Sequence, residues 1–202
     1  MGYLPLFIKM DAATSLVLGG GEVALRKARA ILKAGGKLII VADSFVEGWL
    51  ELDQADVLLK KERITEMFTE RPLEFWKQYK VVVAATDNPL LNEKISESAA
   101  RAGCLVNNVS ARGENLFEFG AQIRRGAACI AIHSAGNPAL SAQMRRRLEE
   151  IVPQEWGDAV DQMAKLRLTP EFQQLPLSEQ RARLRELALK SIEGEPHDSS
   201  ER

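Results

Sequence analysis

Residues 15–26 read SLVLGGGEVALR, and this stretch decides the fold of the first half of the chain. An apolar run leads into three glycines, and residues typical of a helix follow them. Residues 19–24 satisfy the pattern G-x-G-x-x-A through Gly19, Gly21 and Ala24. In that pattern the first glycine allows a tight strand-to-helix turn, the second admits a pyrophosphate, and the third position packs the helix against the strand. With Gly20 between them, these glycines predict phosphate binding at a helix N-terminus, and a purely structural turn is the alternative.

Apolar runs recur through the first 112 residues with helical stretches between them. They are nearly continuous rather than alternating, which is typical of parallel strands covered on both faces. The first strand, helix and second strand fit within residues 15–42, the length of a βαβ unit. We therefore predict an α/β fold with a Rossmann-type doubly wound parallel sheet. The predicted strands cover residues 15–18, 37–42, 55–62, 80–85 and 103–110.

The pattern changes after residue 112. Residues 117–123 and 127–132 predict a β-hairpin with its turn at Arg125–Gly126. A helix is predicted after Pro138, and residues 151–193 are predicted to form a helical region that is interrupted at Thr169–Pro170. The polar residues 194–202 predict a disordered tail. Domain boundaries are accordingly expected after residues 112, 150 and 193.

Asp43 lies 22 residues after Gly21, at the end of the second predicted strand. A carboxylate at this position can accept hydrogen bonds from the ribose hydroxyls of adenosine and would repel a 2′-phosphate. No Arg or Lys follows closely along the chain, so the predicted cofactor is NAD rather than NADP. Ser44 could share this role, and a solvated aspartate is the alternative.

A second polar cluster, Thr86, Asp87 and Asn88, follows the fourth predicted strand. Because ligands of open α/β sheets gather at the carboxyl ends of the strands, Thr86 and Asp87 are expected near the cofactor. Capping of the next helix by Asp87 or Asn88 is compatible with that position.

Composition limits the classes of partner. The 202 residues carry a formal net charge of −1, which gives no general case for binding nucleic acid or a membrane surface. No apolar run approaches the roughly 18–20 residues of a membrane span, and no signal peptide is evident, so the expected location is the cytoplasm. Cys104 and Cys129 are predicted to be reduced core thiols, and no metal site is expected.

Four segments together resemble the precorrin-2 dehydrogenase family, which includes the amino-terminal part of bacterial sirohaem synthase. They are LPLFIKM at 4–10, VLGGGEVALRKARAIL at 17–32, AATDNPLLN at 84–92, and LVNNVS with the following hairpin and helix at 105–150. The resemblance implies NAD-dependent oxidation of precorrin-2 to sirohydrochlorin by a homodimer. It further implies that residues 113–150 serve dimerisation and substrate binding. By matching positions it adds Glu22 and Val23, and again Asp43 with Ser44, to the NAD contacts.

Ser110 departs from the family pattern, because bifunctional members resemble N-V-V-D where this chain reads NNVS at 107–110. Ser110 therefore stands at the position of the family's catalytic aspartate, and a hydroxyl is a poor base and a poor iron ligand. We expect dehydrogenation without efficient ferrochelation. His133 is a second catalytic candidate, although a structural role is the more common one for a histidine on an apolar strand.

The implied substrate carries many carboxylates, and guanidinium groups suit their recognition. Arginines concentrate at the predicted hairpin turn and in the following helix, where a solvated face is an equally good explanation. The predicted substrate-binding residues are Asn107, Arg112, Arg124, Arg125, Arg145 and Arg146. Two alternatives for the whole protein are a bifunctional dehydrogenase and ferrochelatase, and an NAD-sensing module without turnover.

Overall fold

The computed structural model describes residues 3–52, 55–111 and 115–193. The chain divides into two compact units, Met1–Phe119 and Gly120–Arg202. The finer boundaries expected at residues 112, 150 and 193 stay predictions, and the predicted disordered tail at 194–202 lies outside the described residues. Among the described residues, no helix combines the length and the apolar character needed to cross a bilayer.

The first unit is built on a five-stranded parallel sheet with strand order β3-β2-β1-β4-β5. Its strands are β1 (Thr14–Leu18), β2 (Lys37–Ala42), β3 (Val57–Lys61), β4 (Val81–Ala84) and β5 (Leu105–Asn108). Its helices are α1 (Glu22–Leu32), α2 (Leu73–Lys77) and α3 (Pro89–Arg101). The chain runs outward from β1 to β3 and then returns to the other side of β1, so the strand order reverses between β1 and β4. The predicted Rossmann-type sheet is confirmed.

Two hydrophobic layers cover the sheet, one on each face. Leu16 and Leu18 of β1 point into a cluster that contains Trp76 and Ile95, whereas Val17 points into the layer formed with α1. Helix α1 buries four positions at helical spacing against the sheet. These positions are Ala24, Leu25, Ala28 and Ile31. Burial on both faces explains why the strands read as nearly continuous apolar runs.

Helix α2 and two short 3-10 turns at 47–49 and 66–68 were not predicted. A helix of five residues is too short for its periodicity to be read from the sequence. What holds this region is an aromatic cluster: Phe75 packs edge-on against Phe68 and Trp76, and the Arg71 guanidinium lies 4.7 Å from the ring centres of both phenylalanines.

Residues 120–193 of the second unit form a two-stranded antiparallel hairpin and four helices. The strands are β6 (Ala121–Arg125) and β7 (Ala128–Ile132). The helices are α4 (Pro138–Ile151), α5 (Glu155–Arg167), α6 (Pro170–Gln173) and α7 (Leu177–Glu193). The hairpin is confirmed, but its first strand begins at Ala121 rather than at residue 117, and its turn is Gly126–Ala127.

Helix α5 holds the hairpin turn in place. The turn begins at Gly126, whose φ of +53° lies in the left-handed region. The amide of Ala127 donates to the Asp161 carboxylate over 3.2 Å. A Cβ on Gly157 would lie 2.2 Å from the Arg125 carbonyl oxygen, so the helix and the turn are in backbone contact. The basic residues of the turn are therefore fixed by packing rather than carried on a free loop.

Candidate functional site

The first two glycines of the turn after β1 are required by the fold itself. Gly19 has a φ of +123°, and a Cβ there would lie 2.1 Å from the Ala85 carbonyl oxygen. A Cβ on Gly20 would lie 1.9 Å from the carbonyl oxygen of Ser44. Neither position can hold a side chain without moving the backbone that follows β4 or β2.

Gly21 differs from its two neighbours. Its φ of −81° and ψ of 179° are open to any residue, and no atom in the part of the chain that the structure describes lies within 4 Å of where its Cβ would be. Packing within the described chain therefore does not explain the glycine. Space that a side chain would fill at the start of a helix fits a bound pyrophosphate.

Helix α1 begins at Glu22, and no side chain of the described residues caps its N-terminus. The first intrahelical bond runs from the Leu25 amide to the Gly21 carbonyl over 3.0 Å, so the amides before Leu25 belong to the unsatisfied first turn. Glu22 and Val23 are exposed, and Ala24 is buried against the sheet. The open amides and the positive end of the helix dipole suit an anion. The predicted dinucleotide therefore fits this turn.

Asp43 directly follows β2 and is exposed. Its carboxylate accepts from the Ser44 hydroxyl at 3.5 Å, so the two predicted ribose ligands lie side by side. The Gly20 carbonyl accepts from the Val46 amide over 3.1 Å and from the Trp49 indole N–H over 2.7 Å. These bonds fix the Asp43 turn against the glycine turn, as a ligand that spans phosphate and ribose requires.

Asn92 on α3 organises the carboxyl ends of β4 and β5, and sequence reasoning missed it. Its side chain is fully buried. Its Oδ1 accepts from the Thr86 amide at 3.0 Å and from the Thr86 hydroxyl at 2.6 Å, while its Nδ2 donates to the Thr86 carbonyl at 3.0 Å and to Ser110 Oγ at 2.9 Å. The only sequence signal was a polar residue on the apolar stripe of α3.

Helix α3 is capped by Asn88, one of the two residues that the sequence left open. Its Oδ1 accepts from the amides of Leu90 and Leu91 at 3.1 and 3.2 Å. Asp87 is exposed and takes no part in this cap. The cofactor roles of Thr86 and Asp87 stay predictions. Thr86 is held rigidly by Asn92, whereas Asp87 is presented to solvent.

Ser110 lies just beyond β5 and is exposed. Its amide donates to Asn108 Oδ1 over 2.9 Å, and its hydroxyl oxygen accepts from Asn92. Because Asn92 occupies a lone pair of that oxygen, the hydroxyl proton remains available for donation. The Ser110 hydroxyl can therefore donate a hydrogen bond to a ligand, and as an alcohol it is a poor base.

Asn107 is 3% exposed and belongs to β5. Its Nδ2 donates to the Phe117 carbonyl over 3.1 Å, whereas its buried Oδ1 has no hydrogen-bond partner among the described residues. A substrate role for Asn107 stays a prediction. Arg112 lies outside the described residues.

The arginines of the second unit differ in how many of their guanidinium N–H groups already bond to other residues of the chain. Arg125 donates to the carbonyls of Glu149 and Val152 over 3.0 and 3.1 Å and so caps the end of α4. Arg145 pairs with the Glu149 carboxylate at 2.6 Å. Arg124 has a buried Nε without a partner among the described residues, and Arg146 is exposed. Arg124 and Arg146 are thus the least committed of the four predicted substrate residues.

His133 is exposed and directly follows β7. Its Nδ1 accepts from the Ala135 amide at 3.4 Å, a local contact at the start of the loop before α4. The catalytic role stays a prediction. Within the described residues, no group of three or more His, Cys, Asp or Glu side chains is placed to hold a metal ion.

Lys27 is a half-buried cation on α1 that sequence reasoning did not select. Its ammonium lies 4.6 Å from the centre of the Phe119 ring. Burial lowers the pKa of Lys27 to about 8, with a further lowering from Arg26 and an opposing contribution from Glu118. The contact with Phe119 favours the charged form. Desolvation nevertheless outweighs this contact, and the pKa of Lys27 stays below that of an ordinary lysine.

Known proteins match the chain in sequence and in fold. Residues 6–121, more than half of the chain, match the family described as "Putative NAD(P)-binding". That range contains the glycine turn, Asp43 and all five strands of the parallel sheet. The cofactor class predicted from the sequence is confirmed.

Curated relatives carry the name "Siroheme synthase". The protein from Pseudoalteromonas translucida is 39% identical over 158 residues, which cover 78% of this chain and 32% of the relative. The protein from Tolumonas auensis is 34% identical over 208 residues, which cover 100% of this chain and 42% of the relative. This chain therefore spans less than half the length of these relatives.

A solved structure titled "SirC, precorrin-2 dehydrogenase" shares the fold. The two chains superpose with a TM-score of 0.68, covering 94% of this chain and 92% of the other, at 18% sequence identity. Likeness at that identity establishes the fold. With the sequence relatives, it confirms the resemblance on which the sequence analysis relied.

Proposed function

Because this chain belongs to the NAD(P)-binding family that matches residues 6–121, we propose that it is an NAD-dependent dehydrogenase that converts precorrin-2 to sirohydrochlorin. One observation carries the proposal: Gly21 leaves open space at an uncapped helix N-terminus, beside the point where the strand order reverses. Crevices at such points are where open α/β sheets bind their ligands. The names of the relatives and of the fold neighbour supply the substrate class.

Different residues of the chain bind different parts of the cofactor. The amides at the start of α1 bind the pyrophosphate, and Gly21 lets it approach the backbone. Asp43 and Ser44 accept and donate hydrogen bonds at the adenosine ribose. When bound, NAD supplies the hydride-accepting ring. The proteinʼs share of the chemistry is to orient the substrate and to let a proton leave it.

Preference for NAD over NADP follows from Asp43. Its exposed carboxylate would repel a 2′-phosphate and can bind the free hydroxyls instead. The expected outcome is tighter binding of NAD than of NADP in a direct titration. Equal affinities would contradict the role given to Asp43.

The acidic substrate is proposed to bind through arginines of the second unit. Arg124 and Arg146 are the first choices, because their guanidinium groups are less committed to carbonyl and carboxylate partners than those of Arg125 and Arg145. Arg124→Gln and Arg146→Gln are expected to raise the KM for the tetrapyrrole and to leave the affinity for NAD unchanged. An unchanged KM in both variants would remove the two arginines from the site.

Ferrochelation is proposed to be inefficient. Ser110 has no carboxylate to offer, and the hydroxyl oxygen already accepts a hydrogen bond from Asn92. Incubation of the protein with sirohydrochlorin and ferrous ion is expected to yield sirohaem no faster than a protein-free control. Rapid sirohaem formation would establish the bifunctional alternative.

The deciding experiment is an anaerobic incubation with precorrin-2 and NAD, followed by the near-ultraviolet absorbance of NADH. Growth of that absorbance together with the spectrum of sirohydrochlorin supports the dehydrogenase. Binding of NAD without NADH formation would instead support a dinucleotide-sensing module. Gly21→Ala is the matched variant, since it fills the phosphate position without touching another part of the chain.

A further inference from the structure

The pairing of strands brings a lysine close to the predicted ribose site. This lysine is far from Asp43 in sequence, so the residues around Asp43 do not reveal it. Strand β3 pairs with β2 in parallel, and the register sets Lys61 opposite Ala42, the residue before Asp43. The Glu62 amide donates to the Ala42 carbonyl over 2.9 Å and fixes this register at the carboxyl end of both strands. Paired Cα atoms in a sheet are about 5 Å apart, so a lysine stem from Lys61 reaches the space over the Asp43 turn.

The face on which Lys61 lies is set by alternation. Ile40 and Leu59 are paired and belong to the layer that contains α1, and Ala42 and Lys61 lie two residues further on the same face. That is the face of the glycine turn, because a Cβ on Gly20 would be 3.0 Å from Ala42 Cβ. Lys60 pairs with Val41 and lies on the opposite face.

The charges around Lys61 leave it uncommitted. Lys61 is exposed and makes no ion pair with any residue of the ranges that the structure describes. The nearest acid along the strand, Glu62, pairs with Arg71 at 3.6 Å. Lys60 and Arg63 are the other exposed cations at this end of β3.

We propose that Lys61 is a specificity-determining residue that opposes Asp43 at the ribose 2′ position and provides latent affinity for a 2′-phosphate. The inference rests on the proposed function, since it concerns the same dinucleotide. The Asp43 carboxylate repels the 2′-phosphate of NADP, and the Lys61 ammonium attracts it. The preference for NAD follows Asp43, because the carboxylate also binds the ribose hydroxyls of NAD. Removing that carboxylate leaves a cation where NADP carries its additional phosphate, so one substitution exchanges the preference.

The test compares dissociation constants for NAD and NADP by calorimetry in five forms of the full chain. They are the wild type, Asp43→Asn, and Asp43→Asn combined with Lys61→Gln, with Lys60→Gln or with Arg63→Gln. Asp43→Asn is expected to weaken NAD binding and to tighten NADP binding about tenfold. Adding Lys61→Gln to Asp43→Asn removes most of the gain for NADP, about fivefold or more, and leaves NAD affinity unchanged. Lys60→Gln in the same background is the matched control, because it removes the same charge from the adjacent residue on the opposite face, and the gain persists.

Each other outcome overturns the inference. Failure of Asp43→Asn to tighten NADP binding means that no usable cation lies at the 2′ position. Equal effects of Lys60→Gln and Lys61→Gln on NADP binding mean that only the general surface charge matters. If Arg63→Gln alone abolishes the tighter NADP binding of Asp43→Asn, Arg63 and not Lys61 recognises the 2′-phosphate. Absence of binding of either dinucleotide to the folded wild-type chain contradicts the proposed function itself. A circular dichroism melt of every variant excludes unfolding as the cause.

Discussion

Three adjacent glycines of identical chemistry serve two different purposes. Gly19 and Gly20 are fixed by protein backbone that lies 2.1 and 1.9 Å from their Cβ positions, whereas Gly21 faces open space. The motif alone does not distinguish them. Substitution does, because stability reports on contacts within the chain and affinity reports on contacts with a ligand.

The first prediction compares Gly19→Ala with Gly21→Ala. Gly19→Ala is expected to lower the free energy of unfolding by about 2–4 kcal/mol, since it adds a backbone clash to an unfavourable φ. Gly21→Ala is expected to leave stability near the wild-type value and to raise the NAD dissociation constant at least about tenfold. Chemical denaturation and calorimetry measure the two effects. Unimpaired NAD binding by Gly21→Ala would leave that glycine unexplained.

The second prediction concerns the alkaline pH dependence of stability. The unfolded pKa of a lysine is about 10.4, and the folded pKa of Lys27 is about 8. Between these values the unfolded chain holds a proton that the folded chain has released, so Lys27 makes the free energy of unfolding rise with pH across that window. Below the folded pKa both states are protonated and the burial of the cation costs stability.

Lys27→Met removes this contribution while keeping a side chain of similar length. We expect the wild type to gain stability relative to Lys27→Met as the pH rises from about 8 to 10.4. The wild type must be compared with the variant because two other groups also titrate at alkaline pH. Burial raises the pKa of Tyr79 and of Cys104, so both groups make the free energy of unfolding fall as the pH rises, in the wild type and in the variant alike. Parallel pH profiles would show that Lys27 does not titrate in this range.

At the scale of elements, one side chain of α3 joins the ends of two strands. Asn92 uses both of its polar atoms on Thr86 after β4 and on Ser110 after β5. A helix that contributed only apolar contacts would leave these strand ends free to move independently. The polar side chain therefore sets the relative position of two loops that border the candidate site.

The third prediction replaces this connection. Asn92→Leu keeps the volume but leaves the Thr86 amide and carbonyl without partners in the interior, at a cost of about 2–4 kcal/mol. Ser96→Ala is the control on the same helix, because its hydroxyl only bonds back to the Asn92 carbonyl, and it is expected to change stability by less than about 0.5 kcal/mol. Urea denaturation measures the free energy of unfolding of both variants. Equal losses would show that the hydrogen bonds of Asn92 contribute no more to stability than that of Ser96.

At the scale of the whole molecule, helix α4 exposes a row of apolar side chains. None of its residues is buried. Leu140, Met144 and Ile151 are 50%, 39% and 57% exposed, and their spacing places them on one stripe of the helix. An exposed apolar stripe of this kind suits the homodimer that the family resemblance implies, which we propose here.

The fourth prediction places a charge on that stripe. Leu140→Glu is expected to raise the dissociation constant of the dimer at least about tenfold. Arg146→Glu introduces the same residue on another side of α4 and is expected to leave the dimer intact. Sedimentation velocity at several concentrations measures both. A wild-type chain that sediments as a monomer throughout would contradict the homodimer itself.

Sequence reasoning was most successful where the signal is local. The glycine turn and the five strands follow from patterns of a few neighbouring residues, and each strand lies within two residues of its predicted bounds. Asp43 was found from its distance to the turn. Helix α2 was not predicted, because it is held by ring contacts among Phe68, Phe75 and Trp76. Hydrophobic periodicity over five residues does not reveal such contacts.

The sequence by itself determined the parallel α/β class and the dinucleotide turn, because propensity and hydrophobic periodicity act between residues close along the chain. Tertiary structure alone decided which glycine faces open space, which side chain joins the ends of β4 and β5, and which lysine is paired with the residue before Asp43. It also decided that Arg125 caps α4. Those facts depend on strand register and on packing between residues far apart in sequence, and a linear pattern does not encode the distances that decide them.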